Sequence, residues 1–509
     1  MTLSTVSYAK SDDELAIKIE ELKSKQVNLE KRIEQFEMGW DMVTKFSNIN
    51  IPNATLGDVK GTLLDNDYWF LYDLLSADSE SVKAETGSEG ILQFNYKSDR
   101  LSVAIDWILT YIWGGGRTVD LKNIILEADF AKMLFSYGTV GKKFTPLTMY
   151  YPYFNPDEVN GVVFAKELDR LLEAEQLRNE RLLTGANLTF NFGIMQVDTI
   201  LSKLGSASSQ RYLLGINSLD PISNNTELGL TYVKLFDLPD FGDPQSKALN
   251  NEVASLSFSH QITSYIKVKG EFAKSNYSKD INTNDFDPLI DYAQNISFAV
   301  DSKIKFDLGY LRTGPFYEAL LVTKEDLTLN TNTELPTSSC RALPYGIATP
   351  NRIGWKGTIG YQHSPGVNFK YTNTNLKEII VIDVDDGLRS FDLNSFQINI
   401  NRIPEVTYSI FADNEKVSNA QGESTLLQSL GTGISGILSN DFEWALGYKR
   451  LRNITENEYW GISLLSLCKK LDANSELLLM KKLIDYQIGN TDNTGFSADG
   501  LYIEFNVFY

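Results

Sequence analysis

The chain has 509 residues, and its 47 Lys and Arg stand against 66 Asp and Glu, a formal net charge of −19 at pH 7. This acidic balance argues against nucleic acid as a partner, because nucleic acid requires a basic face. The length exceeds that of one soluble core, so it indicates either two or three soluble domains or one large barrel.

The first residues carry processing and capping signals. Residues 1–10 are similar to the end of a secretory signal, with Ser7 and Ala9 at the small-residue positions that precede a cleavage site. Ser11 and Glu14 follow at the spacing of a capping box, which predicts that a helix begins here.

Apolar residues behind this cap recur at alternating spacings of four and three, as in a coiled-coil seam. The seam positions are Leu15, Ile19, Leu22, Gln26, Leu29, Ile33 and Phe36. We predict a coiled-coil helix over 11–40, which extends the spacing to Trp40, with the polar Gln26 fixing register and helix number. A lone amphipathic helix lying on its own domain is the alternative. Residues 41–89 have no regular period and are predicted to be a linker and the entrance to the next domain.

From about residue 90 onward, apolar and polar residues alternate with the period of two that is typical of β-strands. In one example, residues 353–361 run to a turn at Ser364, Pro365 and Gly366, and residues 367–372 return. Such pairs of alternating segments with short turns predict β-hairpins over 90–509.

The last strand carries a more specific signal. Apolar residues occupy every second position up to the C-terminal aromatic residue, and they include Phe505, Val507 and Tyr509. This pattern resembles the terminal strand of bacterial outer-membrane β-barrels, in which the assembly machinery reads that strand. The resemblance implies that this strand pairs with the first one and closes the barrel.

The lengths of the predicted connections support the same interpretation. Short turns alternate with long connections through the C-terminal half, and the longest there is 314–352. Outer-membrane barrels have short periplasmic turns and long outer loops, and this phase places Tyr509 on the periplasmic side. We predict an all-β fold, a large antiparallel transmembrane barrel of about 16–22 strands, with the short N-terminal coiled coil outside it.

The resemblance implies a porin-like channel in the bacterial outer membrane for the passive diffusion of small polar solutes. Outer-membrane lipid is then a partner, and the coiled coil lies in the periplasm. It would hold a homotrimer together or bind the cell wall or a periplasmic partner. Two alternatives stay open: a structural anchor with a blocked barrel, and a soluble all-β binding protein that oligomerises through its helix.

Residues facing the lumen are the functional ones in a channel. By alternation, we predict that the following charged residues line the pore: Lys267, Lys269, Glu271, Lys305, Asp307, Lys370, Glu443 and Lys449. Both signs occur, so no ion selectivity is predicted.

A wide barrel needs a constriction, and the long connection 142–184 is the first candidate. Residues 156–183 within it are predicted to be helical, and its charged constriction candidates are Glu167, Asp169, Arg170, Glu173 and Arg178. An external helix packed on the rim is the alternative. The connection 314–352 is the second candidate.

Catalytic and metal-binding patterns are sparse. His260 and His363 each adjoin a serine. Neighbouring residues on a strand face opposite sides, so neither histidine can act as the base for its adjacent serine nucleophile. Two histidines and two cysteines scattered over the chain do not make a zinc site. The sequence therefore predicts no enzyme, no metal and no cofactor.

Overall fold

The structure is a computed structural model. It describes residues 36–50, 85–98, 100–112, 117–129, 133–150, 161, 163–166, 181–193, 195–204, 211–238, 248–278, 289–323, 342–343, 346–381, 387–403, 405–439, 441–455, 457–472, 475–488 and 495–508. The predicted seam from Leu15 to Ile33, the five charged constriction candidates and Tyr509 lie outside these ranges.

The described chain is dominated by one antiparallel sheet of 22 strands. In chain order the strands are β1 (Phe36–Asn50), β2 (Glu85–Lys97), β3 (Leu101–Ile112), β4 (Arg117–Asp129), β5 (Met133–Lys142), β6 (Arg181–Phe192), β7 (Met195–Leu204), β8 (Arg211–Ser223), β9 (Thr226–Asp237), β10 (Asn250–Thr263), β11 (Ile266–Ser278), β12 (Leu289–Val300), β13 (Ile304–Thr313), β14 (Arg352–Ser364), β15 (Val367–Lys377), β16 (Ser390–Ile403), β17 (Val406–Ser418), β18 (Ser424–Ser439), β19 (Phe442–Asn453), β20 (Glu458–Lys470), β21 (Ser475–Ile488) and β22 (Gly495–Phe508). A short helix α1 (Leu320–Thr323) and a 3₁₀ turn (Gly346–Ala348) lie between β13 and β14.

Each strand pairs with its neighbours in sequence, and the two ends of the sheet also meet. β1 pairs with β22 in an antiparallel register that joins Met42 to Val507 and Thr44 to Phe505. Its other edge pairs with β2. The sheet therefore closes into a barrel without a free edge, which is the only sheet arrangement that satisfies every backbone group in lipid.

The two ends of the barrel differ in the lengths of their connections. One end carries short turns such as 224–225, 264–265, 365–366 and 404–405. The other end carries all of the long connections, including 143–180 and 314–351. This asymmetry extends the alternation predicted for the C-terminal half to the whole barrel, and the chain leaves β22 at the short-turn end.

Side chains alternate between the outer and inner faces of the wall. The outer face exposes large apolar side chains on strand after strand; for example, Leu230 is 60% exposed, Trp355 54%, Leu430 61% and Leu446 50%. The inner face carries polar and charged side chains, and it packs an apolar core against two inward-folded connections near the long-connection end.

The structure corrects three boundaries drawn from the sequence. Phe36 and Trp40 belong to β1 and not to a helix, so the predicted seam is wrong at Phe36. The sheet includes 36–50 and 85–89, of which 36–40 had been assigned to the helix and 41–50 and 85–89 to a linker. Arg181–Leu183 begins β6, so the predicted helix at 156–183 is wrong at its end. In each case the segment forms backbone hydrogen bonds with a neighbouring strand on both sides. This pairing outweighs the helical preference that the spacing of apolar residues indicates.

None of the helices among the described residues is long and apolar enough to cross a membrane.

Candidate functional site

The interior of the barrel holds the charged residues singled out from the sequence. Strand register places all eight of them on the inner face: Lys267, Lys269, Glu271, Lys305, Asp307, Lys370, Glu443 and Lys449. Two of them also contact side chains that fold into the interior. Thr145 donates a hydrogen bond to Glu271, and Lys166 donates to Glu443.

Lysines are concentrated on one side of the inner wall, over β11–β15. The register aligns Lys305 with Gly360, and Gly360 with Lys370, so these two side chains occupy the same row. Lys267 and Lys269 lie two strands away on β11. A fifth lysine, Lys356, faces inward on the same part of the wall, and the sequence analysis did not identify it as a pore-lining residue. We call these five residues the lysine stripe.

The alternation in β14 was sufficient to identify Lys356. Its apolar residues Trp355, Ile359 and Tyr361 share the outer face, which places Lys356 on the inner face. Asp307 and Glu271 are inward carboxylates on the strands of the lysine stripe, and the five lysines outnumber them.

Carboxylates lie on another part of the inner wall, over β3–β7. They are Asp106, Glu127 and Asp198, and the sequence analysis did not identify any of them. Thr189 donates a hydrogen bond of 2.5 Å to Asp198 and fixes its position. An excess of lysines on one part of the wall and of carboxylates on another produces a field across the interior.

The connection 143–180, which we call the crossing loop, enters the barrel beside β5 and β6. Its first part packs against the inner wall of β7–β11. Met149 belongs to a buried cluster with Ile200 and Leu213, and Leu147 belongs to another with Val253. The loop is thus inside the barrel from its first residues.

A helical turn at 163–166 in the crossing loop contacts the wall formed by β17–β19. The Phe164 ring meets the Phe411 ring edge to face, with centroids 6.1 Å apart. Gly433 and Gly447 provide the space for Val163. A Cβ atom at Gly433 would lie 2.8 Å from one methyl group of Val163, and a Cβ atom at Gly447 would lie 3.1 Å from the other.

The crossing loop therefore spans the interior. In a closed ring of 22 strands, the wall opposite the β5–β6 junction is formed by β16, β17 and their neighbours. The described residues of the loop touch this far wall, while both loop ends belong to the near one. The alternative of an external helix on the rim is wrong for the described residues of this loop, because Val163 and Phe164 are buried inside the barrel.

The connection 314–351, which we call the packing loop, also folds inward. Its backbone is held by Asn251 and Ser275: Asn251 donates to the carbonyl of Glu318 at 2.8 Å, and the Glu318 amide donates to Ser275 at 3.1 Å. The Tyr317 hydroxyl donates to the carbonyl of Leu147 in the crossing loop. Burial raises the pKa of Tyr317 well above its ordinary value, and the negative charge of Glu271 adds to this.

The end of the packing loop is fixed by buried charges. The Arg352 guanidinium donates to the carbonyl of Ala342 at 3.0 Å, and the amide of Ala342 donates to Glu415 at 2.7 Å. Glu378 is shared by Arg352 and Arg389, at 3.5 Å and 2.7 Å. Charges that are desolvated and mutually paired in this way hold a loop in one arrangement.

Of the two histidines considered earlier, His260 has a described hydrogen bond. His260 bonds through Nδ1 to the Thr226 hydroxyl at 2.9 Å, on the outer face. No group of His, Cys, Asp and Glu among the described residues is arranged to hold a metal ion.

Comparisons with known proteins give only distant likenesses. No family model and no curated protein matches the chain. Among solved structures, it is similar to the siderophore receptor PirA from Pseudomonas aeruginosa, with a TM-score of 0.49, 8% identity, and coverage of 93% of this chain and 80% of that one. It is also similar to OpdQ from Pseudomonas aeruginosa (TM-score 0.38, 10% identity, coverage 93% and 99%) and to an anion-selective porin from Comamonas acidovorans (0.34, 12%, 62% and 93%). Values this low assign neither a family nor a function.

Proposed function

We propose that this protein is an outer-membrane channel, narrowed by the crossing loop, through which small polar solutes pass by passive diffusion. The observation that carries the proposal is the combination of a closed barrel, a charged inner wall and a loop that spans the interior between opposite walls. A barrel of this size is too wide for wall side chains alone to fill, so an inward loop is what would set the pore width.

The outer face supports a membrane location. Apolar side chains such as Leu230 and Leu430 are more than half exposed on strands as far apart as β9 and β18. Exposure of so large an apolar surface to water is unfavourable, whereas contact of the same surface with lipid acyl chains is not. By the usual orientation of such barrels, the short-turn end faces the periplasm.

The opposed charges of the inner wall support a preference for charged or strongly polar solutes. The lysine stripe attracts anions, and the carboxylates near Asp198 attract cations, so a dipolar solute would align as it passes. We propose that the constriction lies near Glu443, where Lys166 reaches the far wall.

Single-channel conductance in a planar bilayer tests this function. Stepwise openings of the detergent-extracted protein are expected. A matched variant with the loop segment 151–180 replaced by a short Gly and Ser linker should conduct more per step, because the spanning segment is gone. Stable insertion of both proteins without any conductance would overturn the channel function.

A structural anchor with a blocked barrel is the second candidate, and the buried packing loop favours it. Tyr317 and Leu320 are at most 1% exposed, so part of the interior is filled by protein. In this case the wild type inserts without conductance, and only the variant without the loop segment conducts. A third outcome, solubility without detergent, would instead support a soluble binding protein.

The N-terminal segment remains a proposal of its own. We propose that the segment 11–35, for which the sequence predicts a coiled-coil helix, associates with copies of itself, giving a homotrimer, or with a cell-wall or periplasmic partner. Removal of residues 11–35 should reduce a trimer to monomers in analytical ultracentrifugation. The circular dichroism spectrum of the β-barrel should stay unchanged. A chain that stays trimeric after this deletion would place the contact on the barrel wall.

A further inference from the structure

The outer face of the barrel carries a polar groove on β15–β20, close to the long-connection end. Residues that line it include Asn394, Asn414, Gln428, Arg450, Arg452 and Tyr459. Its volume of about 530 Å³ falls within the range of ligand sites and exceeds what a bare ion needs. We propose that this groove binds the phosphate-bearing headgroup of an anionic lipid in the outer leaflet.

The position of the groove relative to the apolar band favours a lipid. On β19 the outward residues, taken from the short-turn end, are Trp444, Leu446, Tyr448, Arg450 and Arg452. Leu446 and Tyr448 are about half exposed and belong to the lipid-facing band. The two arginines follow directly, at the height where acyl chains give way to headgroups.

The two arginines are held in place for a ligand. The ring of Tyr459 on β20 lies 5.0 Å from the guanidinium carbon of Arg450 and 5.0 Å from that of Arg452. Neither guanidinium forms an ion pair with a carboxylate in the described part of the chain. The Nε of Arg452 is buried and has no hydrogen-bond partner among the described residues.

The chemistry of the groove matches a phosphate. Arginine forms bidentate hydrogen bonds with phosphate oxygens, and two neighbouring arginines can bind the same group. The amides are already ordered: Gln428 donates to Asn414 at 3.3 Å, and the Tyr371 hydroxyl donates to Asn394 at 2.7 Å. These polar groups offer contacts to a sugar or glycerol next to the phosphate.

Other charges surround the groove and leave it positive. Asp413 is among its lining residues, but the Asp413 side chain belongs to the inner face, where Ser429 donates to it at 2.6 Å. Lys416 lies on the outer face of β17 beside Asp392 of β16, so these two offset each other. Asp485 lies on β21, one strand beyond β20, opposite Gly461. Arg450 and Arg452 therefore carry the excess charge at the centre of the groove.

The inference rests on the proposed membrane location, but it does not require an open channel. The test uses the full chain in dodecyl-maltoside micelles, titrated with phosphatidylglycerol and, separately, with phosphatidylcholine, and native mass spectrometry counts the bound lipids. Phosphatidylglycerol should bind tightly to the wild type, and phosphatidylcholine should bind weakly.

The R450Q/R452Q variant should lose affinity for phosphatidylglycerol by about tenfold or more, because each hydrogen bond between charged groups contributes about that factor. The R450K/R452K variant keeps the charge but not the forked geometry, so an intermediate loss is expected. R312Q is the matched control, since Arg312 also faces outward near the long-connection end of its strand but lies on β13, away from the groove.

Three results would overturn the proposal. Equal losses in R312Q and R450Q/R452Q would show a general charge effect. Displacement of the lipid by millimolar inorganic phosphate would assign the groove to a soluble anion. If R450Q/R452Q lost its oligomers while lipid binding stayed unchanged, the groove would be a contact surface between copies of this chain. Conductance of the same variants is a separate measurement: a silent wild type with intact lipid binding would refute the channel and leave the lipid site.

Discussion

Lys166 of the crossing loop lies 2.5 Å from Glu443 of β19, and this pair joins the loop to the wall opposite its own ends. The Lys166 side chain is 59% exposed and that of Glu443 is 37% exposed. The pair therefore faces the open part of the interior, where it is screened by water and salt. Apolar packing of Val163 and Phe164 holds the loop more firmly than this ion pair does.

The E443Q substitution should consequently have a small effect on loop position, because an exposed pair contributes roughly 0.2–1 kcal/mol. We expect conductance close to that of the wild type, with a shift in ion selectivity towards anions, since a carboxylate is lost at the constriction. Reversal potentials in a salt gradient measure this shift. E227Q is the control, because Glu227 lies near a short turn on β9, away from the described part of the loop. An equal shift in both variants would contradict a constriction at Glu443.

Gly433 is predicted to be necessary for the seating of the crossing loop. In G433L the new side chain would occupy the space of Val163, which requires the loop to move or costs roughly 1–3 kcal/mol of overpacking. A displaced loop gives larger single-channel conductance. The control G357V adds bulk at a glycine whose Cβ would have 3.8 Å of room. Unchanged conductance in G433L would mean that the loop does not set the pore width.

Tyr317 links the two inward loops through its neutral hydroxyl. Y317F leaves the buried carbonyl of Leu147 unpaired, at a cost of roughly 1–3 kcal/mol in the free energy of unfolding. The thermal unfolding midpoint in detergent should fall accordingly.

The pH dependence of this contact follows from the raised pKa of Tyr317. The unfolded chain releases the tyrosine proton near pH 10, while the folded chain retains it, so the contribution of Tyr317 is complete below about pH 10 and is lost above it. The difference between the unfolding midpoints of wild type and Y317F should therefore shrink as the pH rises beyond 10. Parallel curves up to pH 12 would contradict this account.

Glu378 is predicted to be the residue that fixes the end of the packing loop. E378A removes the carboxylate shared by Arg352 and Arg389, and Arg352 is fully buried, so a loss of roughly 3–5 kcal/mol is expected. Faster proteolytic cleavage of the packing loop, together with a lower unfolding midpoint, checks this. E423Q is the control, since Glu423 is an exposed carboxylate in another connection at the same end. Cleavage at the wild-type rate in E378A would refute the role of the charge cluster.

The lysine stripe is predicted to set the response of the channel to anions. Replacing its five lysines with Gln should lower the permeability of anions relative to cations, because the positive potential on β11–β15 is removed. Reversal potentials in potassium chloride gradients report this ratio. K274Q is the matched control, since Lys274 lies on β11 but faces outward over the Tyr292 ring. If K274Q had the same effect, the inner wall would not control selectivity.

The sequence by itself determined much of the barrel. A period of two assigns each side chain to one face, so Lys267, Lys370 and Glu443 could be placed inside without any knowledge of neighbouring strands. Turn chemistry and the lengths of connections determined the order of hairpins and the two different ends. These signals depend on residues that are close together in the sequence, so they can be identified from a single chain.

Only the tertiary structure decided closure and the contents of the interior. Phe36 and Trp40, four residues apart, share a face in a helix and also in a strand, so their spacing could not distinguish the two; pairing of β1 with both β2 and β22 did. The direction of the crossing loop depends on Gly433 and Gly447, which lie far from Val163 in sequence. The groove of Arg450 and Arg452 is formed by side chains from several strands. Contacts between distant segments carry no period along the chain, and the closed sheet alone brings them together.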